Sequence, residues 1–511
     1  MIKLTMSKPV WLFYLFLGVI YFLGATYVAI ADDITPVVTH GVAAGDVTPS
    51  SGVIWARGSS TGFMHVSVSR NPNGLGSTQQ SVRVHSADDY TGKLLLNGLE
   101  PDTAYYYRVW FTAEEAKQNE SGKKATEAVG RFRTAPAVNQ IKPVVFAWGG
   151  DLAGQNVCRD STQGFPIFNA INALSLDFFI GLGDMIYADG ICAAIGRYGN
   201  NQIPGNFVQA ADLASFWAHW KYNREDHGYR TLLAQTPYYA VWDDHEVVND
   251  FGPLHDTRTA APYSPGAHLL PLGLKAFLDY NPTLEYAGTP KRLYRSLRWG
   301  KHLEVFFLDT RQYRDANAAN DSAERPKTML GREQLVWLKQ RLSESDATWK
   351  VLASSVPLSI PTGFPPQNGR DGWANFDQST GFEQEMLDIQ RHLQQHKIYN
   401  AVWITTDVHF AEIFRYTPFS DTAAFQIHEF VSGPLNAGLF PNRDFDITLG
   451  TESLFFFGPD GSDAGLSYTQ ARSFMNFGTV QVDATGRLTA AIRDVNGTIK
   501  YQTTLAPVTQ H

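Results

Sequence analysis

Four acidic segments of this 511-residue chain each follow directly on an apolar run. They are FAWGGDLAG around Asp151, GLGDMIYADG around Asp184 and Tyr187, VWDDHEVVND around Asp244, His245 and Asn249, and ITTDVHFAE around Asp407 and His409. Carboxylates packed together repel unless a cation or proton stands between them. Oxygen and imidazole donors in such a group are what hard and borderline metal ions take. The pattern points to a metal site. Each segment is weak evidence alone, because an Asp after a strand is commonly a turn residue or helix cap. The Asp407–His409 spacing puts two side chains on one side of an extended backbone, as a solvated strand end would too. Asp243 to Glu246 also reads as a polar loop. Four such ends in one region are hard to explain as unrelated turns.

Strands must position these groups. Val144–Trp148, Phe178–Leu182, Tyr238–Trp242 and Ala401–Ile404 read as buried strands, and open α/β sheets bind ligands at the carboxyl ends of their strands. Four such ends can therefore meet in one crevice. Between them, Phe168, Ile171 and Leu174, then Leu335, Leu338 and Leu342, then Met386, Ile389 and Leu393 carry helical spacing. Leu303–Leu308 and Val351–Ser354 are further strands. The alternation predicts α/β layers over residues 143–511. From Phe425 the pattern returns to β, with VQV, LTAAI and IKYQTTL, the last two joined by an Asn496-Gly497 hairpin turn. Trp148, Tyr238 and Trp242 precede the acids and read as core.

Residues 36–136 are patterned as all-β. Val53–Ala56, Met64–Ser69, Val82–His85 and Tyr105–Phe111 alternate and are separated by turn residues. In LEPDTAYYYRV, Leu99, Pro101, Thr103, Tyr105, Tyr107 and Val109 share one parity, as a half-buried strand requires. The piece is similar to the strand entry of fibronectin III-like β-sandwich domains, where a corner tyrosine bonds back to the main chain; Tyr105 is the candidate. This region carries no reactive constellation and is expected to pack on or shield the remainder, with Ala135–Lys142 as the linker.

Composition narrows the class. Hydrophobic residues at 44% and charged residues at 18% describe a globular protein rather than a disordered one. A net charge of −8 without a long basic run offers no nucleic-acid platform, which needs clustered Lys and Arg. Lys3 and Lys8, the uncharged stretch Pro9 to Ala31 and the small residues Ala29 and Ala31 predict a signal peptide over 1–31, cleaved before Asp32. No twin arginine is present, so the general secretory route and a periplasmic or secreted protein are expected. The alternative is an uncleaved anchor, since the stretch is long enough to span a bilayer. Cys158 and Cys192, the two cysteines, each follow a motif strand. They are read as a disulfide, with free thiols or a thiolate ligand as alternatives.

The order D…GDxxY…DDHE…DVH resembles the metallophosphoesterase superfamily, and more closely the PhoD-like alkaline phosphatases, which use WDDHE and DVH. LDTRQYRD at Leu308–Asp315 and TMLGREQLVWL at Thr328–Leu338 are also similar to that family. The resemblance covers about residue 38 to the C-terminus. It implies a layered β-sandwich core flanked by helices at 143–511, an N-terminal β-sandwich at 36–136, and a dinuclear metal site. Asp184 would bridge, with Asp151, Tyr187 and His409 on a first metal and Asp407 with Asp244 or Asn249 on a second. The pairing implied is Fe³⁺ with Ca²⁺, with Zn²⁺ or Mn²⁺ as alternatives. Three positions depart from the superfamily pattern. Ala153 stands where the usual histidine would be, Cys158 does not occupy the family's cysteine position, and LASSVPL at Leu352–Leu358 lacks a histidine.

The expected activity is hydrolysis of phosphate monoesters, with diesters also possible substrates, by hydroxide activated at two metals. His245 is the expected proton donor, oriented by Asp243 or Glu246. Arg311, directly after a strand, is the expected phosphate clamp; the competing reading is a salt bridge to Asp309 or Asp315. Two other readings compete: a phosphodiesterase or phospholipase acting on lipid head groups, and an inactive surface-binding protein. Loops 191–206, 252–272 and 359–381 are expected to wall the pocket.

Overall fold

The computed structural model describes residues 36–74, 78–113, 126–253, 266–285, 288–289, 291–362, 371–374, 380–419 and 425–508. The expected signal peptide lies outside them, as do parts of two expected pocket loops (254–265, 363–370 and 375–379).

Two large sheets face each other. The first runs, in spatial order, Ile499–Leu505, Leu488–Asp494, Asn476–Val482, Val144–Gly149, Phe178–Leu182, Tyr238–Val241, Val38–Gly45, Ser51–Gly58 and Thr91–Asn97. The second runs Arg295–Trp299, Leu303–Phe307, Trp349–Ala353, Ala401–Thr405, Ile427–Val431, Ala411–Tyr416 and Thr451–Phe457. The three strands at the centre of the first sheet are parallel, as are four consecutive strands of the second. Their carboxyl ends therefore share an edge within each sheet.

Period-two alternation explains the layering. Phe146, Trp148, Ile180 and Leu182 point inward with Val305, Val351 and Ile404 of the facing sheet. The sheets touch directly where Phe178 meets Trp299, with ring centroids 4.7 Å apart, and Tyr239 stacks on Phe307 at 5.6 Å. Ala147, Phe179 and Ala240 point outward, under residues of the helices Ile167–Asn172, Leu213–Arg224, His227–Gln235 and Gly266–Tyr280. On the other outer face Phe306, Leu352 and Trp403 pack with Leu338 and Leu342 of helix Gly331–Glu344 and with Met386, Ile389 and Leu393 of helix Glu383–Gln395. Strands covered on both faces must be apolar throughout. That is why the motif strands read as continuous runs. Each fully buried Leu, Val or Phe contributes roughly 1.5–3 kcal/mol.

The N-terminal region contributes a four-stranded sheet, Thr78–Val84, Gly62–Ser69, Ala104–Thr112 and Ala128–Arg133 in spatial order. Tyr105, Tyr107, Val109 and Phe111 alternate inward along one strand, and the Tyr105 hydroxyl accepts the Glu100 N–H at 2.9 Å, the corner expected from the sequence. The remaining N-terminal strands join the first large sheet. Gly45 pairs in parallel with Tyr238, so the sheet crosses the expected 136/143 boundary. A Cβ on Gly45 would lie 2.5 Å from the Tyr238 carbonyl oxygen, so the junction requires glycine.

Candidate metal centre

The strand ends bend sharply where they deliver their acids. Asp151, Asp184, Asp407 and His409 have φ of 62°, 51°, 80° and 61°. Left-handed backbone is uncommon for residues with a Cβ and persists where surrounding contacts over-determine it. Here the contacts are main-chain stitches. The Leu152 N–H donates to Asp184 O at 2.8 Å, the Asn436 N–H to Asp151 O at 3.0 Å, and the Ala153 N–H to Asn436 O at 2.8 Å. A Cβ on Gly154 would come 2.4 Å from Tyr187 Cζ, so glycine there admits the phenol ring.

These ends meet. Carboxylate oxygens of Asp184, Asp243, Asp244 and Asp407 lie within 4.8 Å of one another, and oxygens of Asp184 and Asp244 lie equally near a His245 ring nitrogen. His409 Nε2 stands 3.6 Å from Asp151 Oδ1 and accepts the Tyr187 hydroxyl at 2.8 Å. The other ring nitrogen, Nδ1, donates to Gly438 O, which leaves Nε2 as the lone-pair nitrogen, the orientation a metal-binding histidine needs. A cavity of about 500 Å³ opens over the cluster. Tyr187, Asp244, His245, Asn249, Asp407 and His409 line it, and Asp151 and Asp184 are buried beneath.

Arg311 is placed differently. Its side chain is 0% exposed and is not part of the cavity wall. Nε donates to Asp243 Oδ1 at 2.5 Å and Nη1 to Asp371 Oδ1 at 2.7 Å, so the guanidinium pairs with neither Asp309 nor Asp315. Only its main-chain N–H meets Asp309, at 3.1 Å. Cys158 and Cys192 are bonded to each other, which removes a thiolate ligand and ties together the loops after the first two motif strands.

Residues 146–489 match the family model for PhoD-like phosphatase, and residues 25–136 match that for the PhoD-like phosphatase N-terminal domain. The chain belongs to the PhoD-like phosphatase family. Alkaline phosphatase D of Bacillus subtilis (strain 168) is 26% identical over 416 residues, covering 73% of this chain. The chain spans 64% of that relative's length. A solved structure of PhoD aligns with a TM-score of 0.68 at 19% identity, over 92% of each chain. Purple acid phosphatase PPD1 from yellow lupin (Lupinus luteus) seeds aligns with a TM-score of 0.56 at 13% identity, over 92% of this chain and 75% of that one. At such identities the two structures speak to the fold alone, the layered α/β architecture described above.

In this PhoD-like phosphatase the donor set fits cations on its own evidence. Asp151 Oδ1, Asp184 Oδ2, Asp243 Oδ2, Asp244 Oδ1 and Asp407 Oδ2 are buried with no hydrogen-bond donor. Leaving a buried carboxylate oxygen unpaired costs several kcal/mol unless a charge meets it. Without one, Asp184 and Asp407 hold protons. Burial, followed by Asp243 and Asp244, pushes Asp151 up to about 7, although the Thr406 hydroxyl opposes it. Burial and the neighbouring acids drive Asp184 and Asp407 well above the carboxylate range. Burial lowers His409 to about 3, so its imidazole is neutral.

The partners of His245 differ from those expected. Its Nδ1 lies 2.7 Å from Asp189 Oδ1, and Asp189 Oδ2 accepts the Asn249 N–H at 3.0 Å. Burial alone would lower His245, but Asp189 and then Asp244 outweigh it and raise the imidazole to about 9. Asp243 instead accepts from Arg311 and, at 2.7 Å, from the Ser355 hydroxyl. Glu246 accepts the main-chain N–H groups of Asp184, Met185 and Asp243 at 3.1, 2.8 and 2.7 Å, fixing the turn that carries the bridging candidate. Sequence reasoning missed Asp189, though it lies two residues past Tyr187 in the same motif. It also missed Asp371, which no local signal marks.

Proposed function

We propose that this chain is an exported, metal-dependent hydrolase of phosphate monoesters. The observation that carries the reading is the set of five unpaired buried carboxylate oxygens gathered beside one cavity in a PhoD-like phosphatase. Asp151, Asp184, Tyr187 and His409 would hold one cation, and Asp184, Asp407 and either Asp244 or Asn249 a second. Oxygen donors with one imidazole and one phenol suit Fe³⁺ with Ca²⁺, and Zn²⁺ or Mn²⁺ are alternatives. Bound there, the cations would supply Lewis acidity and offset phosphate charge.

The chain's own groups supply the rest. His245 faces the cavity, with Nδ1 held by Asp189, so its Nε2 proton is free to pass to the departing alkoxide oxygen. Arg311 is reassigned from phosphate clamp to positioning residue: it holds Asp243, one of the clustered acids, and Asp371 behind it. The alternative reading, hydrolysis of phosphodiesters, has one observation in its favour. Among the described residues lining the cavity there is no Lys or Arg, which leaves the His245 imidazolium as the one cationic side chain there to meet a monoester's second negative charge. The binding-protein reading calls for motifs stripped of their ligands, whereas an acid stands at every one.

Export rests on the N-terminal 31 residues and is supported by the Cys158–Cys192 disulfide, a bond that persists in oxidising compartments. Among the described residues no helix is long and apolar enough to cross a membrane. The test is hydrolysis of 4-nitrophenyl phosphate and its bis-ester before and after chelation. Loss on chelation and recovery on metal return are expected. Turnover indifferent to complete metal removal would sink the proposal, and the rate ratio ranks mono- against diesters.

A further inference from the structure

One wall of the cavity is aromatic and held rigidly. Phe440 is 45% exposed, with its ring centroid 4.7 Å from that of His409. The backbone leading to it is fixed almost residue by residue. The Leu435 N–H donates to Gly150 O at 2.8 Å, the Gly438 N–H to Gln155 Oε1 at 3.2 Å, and the Leu439 N–H to the Tyr198 hydroxyl at 2.9 Å. That hydroxyl donates to Asp463 at 2.8 Å, and Arg197 grips Asp463 from two nitrogens at 2.8 and 3.0 Å. A large ring on so constrained a segment does not turn away from water, nor is it buried by the fold. Ile360, Pro361 and Phe410 line the same cavity, so Phe440 is part of an apolar surface beside the acids.

Resting on the phosphatase reading, we infer that Phe440 is a specificity-determining residue whose ring receives the apolar part of the ester. The site then selects aryl and alkyl phosphate esters over those of small polyols. The phosphoryl group sits over the acid cluster, and the carbon group that leaves, or the second substituent of a diester, lies against the ring. Offset stacking or edge-on contact rewards a flat or alkyl group there and gives a hydroxyl-rich one nothing. His409 needs Phe440 for none of its hydrogen bonds, which run to Tyr187 and Gly438.

The test compares 1-naphthyl phosphate with glycerol 2-phosphate in the wild type, Phe440→Ala and Phe440→Tyr, with metal content measured in each. The ratio of kcat/KM for the two substrates should fall about tenfold in Phe440→Ala, through KM for the naphthyl ester, and be retained in Phe440→Tyr. An unaltered ratio, or equal losses on both substrates, overturns the inference. Binding of 1-naphthylmethylphosphonate and methylphosphonate to the metal-loaded proteins is measured in parallel by calorimetry, because it needs no turnover. Weakening of the aryl ligand alone in Phe440→Ala supports the inference, and equal weakening of both overturns it. A wild type that hydrolyses neither ester counts against the phosphatase reading, while the phosphonates still decide the role of Phe440.

Discussion

Two groups of buried charges lie side by side in this molecule and solve the same problem differently. Around Asp371 the chain provides its own counter-charge: Arg311 bonds its carboxylate at 2.7 Å, Arg314 stands 3.3 Å away, and Asn317 adds a bond at 3.2 Å. Burial would raise the Asp371 carboxyl, but Arg311 and Arg314 overcome it and hold it below the usual range. Around Asp151, Asp184, Asp244 and Asp407 no arginine or lysine of the described residues comes in, apart from Arg311 Nη2 at 3.9 Å from Asp244. There the unpaired oxygens remain, and burial with mutual repulsion drives Asp184 and Asp407 far up. The contrast teaches that buried acid is not a metal site in itself. What distinguishes one is acid that the fold leaves uncompensated while supplying guanidinium groups a few ångströms off.

The strongest way to break this contrast is Asp184→Asn, which removes charge from the cluster's shared member. Activity should fall by at least about a thousandfold, with a loss of bound metal seen by elemental analysis. Retained metal and activity would show that the site does not centre on Asp184. Arg311→Met attacks the self-compensated side. It strands Asp243 and Asp371, and denaturant unfolding should register a loss of ~3–5 kcal/mol. A small change there, with KM alone raised, would restore Arg311 as a phosphate contact.

Much of the acid cluster is legible in the sequence because apolar runs end abruptly in carboxylates, a signal that survives without any three-dimensional information. The strands themselves are legible for the same reason, being buried on both faces. Helix Leu213–Arg224 is not: its buried positions include His219, Asn223 and Arg224 beside Phe216 and Trp220, so no apolar period marks it. The continuity of the first sheet past residue 136 depends on the Gly45–Tyr238 pairing, which joins segments far apart in the chain. The placement of Arg311 is not legible, because a strand-end arginine looks the same whether it faces a cavity or a pair of buried acids. His245 likewise sits in an acid-rich motif, yet its partner comes from the neighbouring one.

Chelation and pH sharpen the comparison further. In metal-stripped protein Asp151 has a folded pKa of about 7 against an ordinary 3.8. The folded state then binds more protons than the unfolded between those values. Its contribution is full below about pH 4 and lost as pH rises through 7, so chelated protein should be less stable at pH 8 than at pH 5 by on the order of 2 kcal/mol. Restoring metal should cancel the slope; thermal unfolding at both pH values with and without chelator checks this. The smallest effect is expected from Asp189→Asn, which loosens His245 without touching the acids. It should lower kcat about tenfold with little change in KM or metal content. An effect on KM alone would assign Asp189 to substrate binding.

The central claim is that acids from four distant strand ends together grip two neighbouring cations. Metal-to-protein stoichiometry of the purified, active protein tests it most directly. At least two tightly held ions per chain are predicted; full phosphate-ester hydrolysis by protein holding less than one would contradict it.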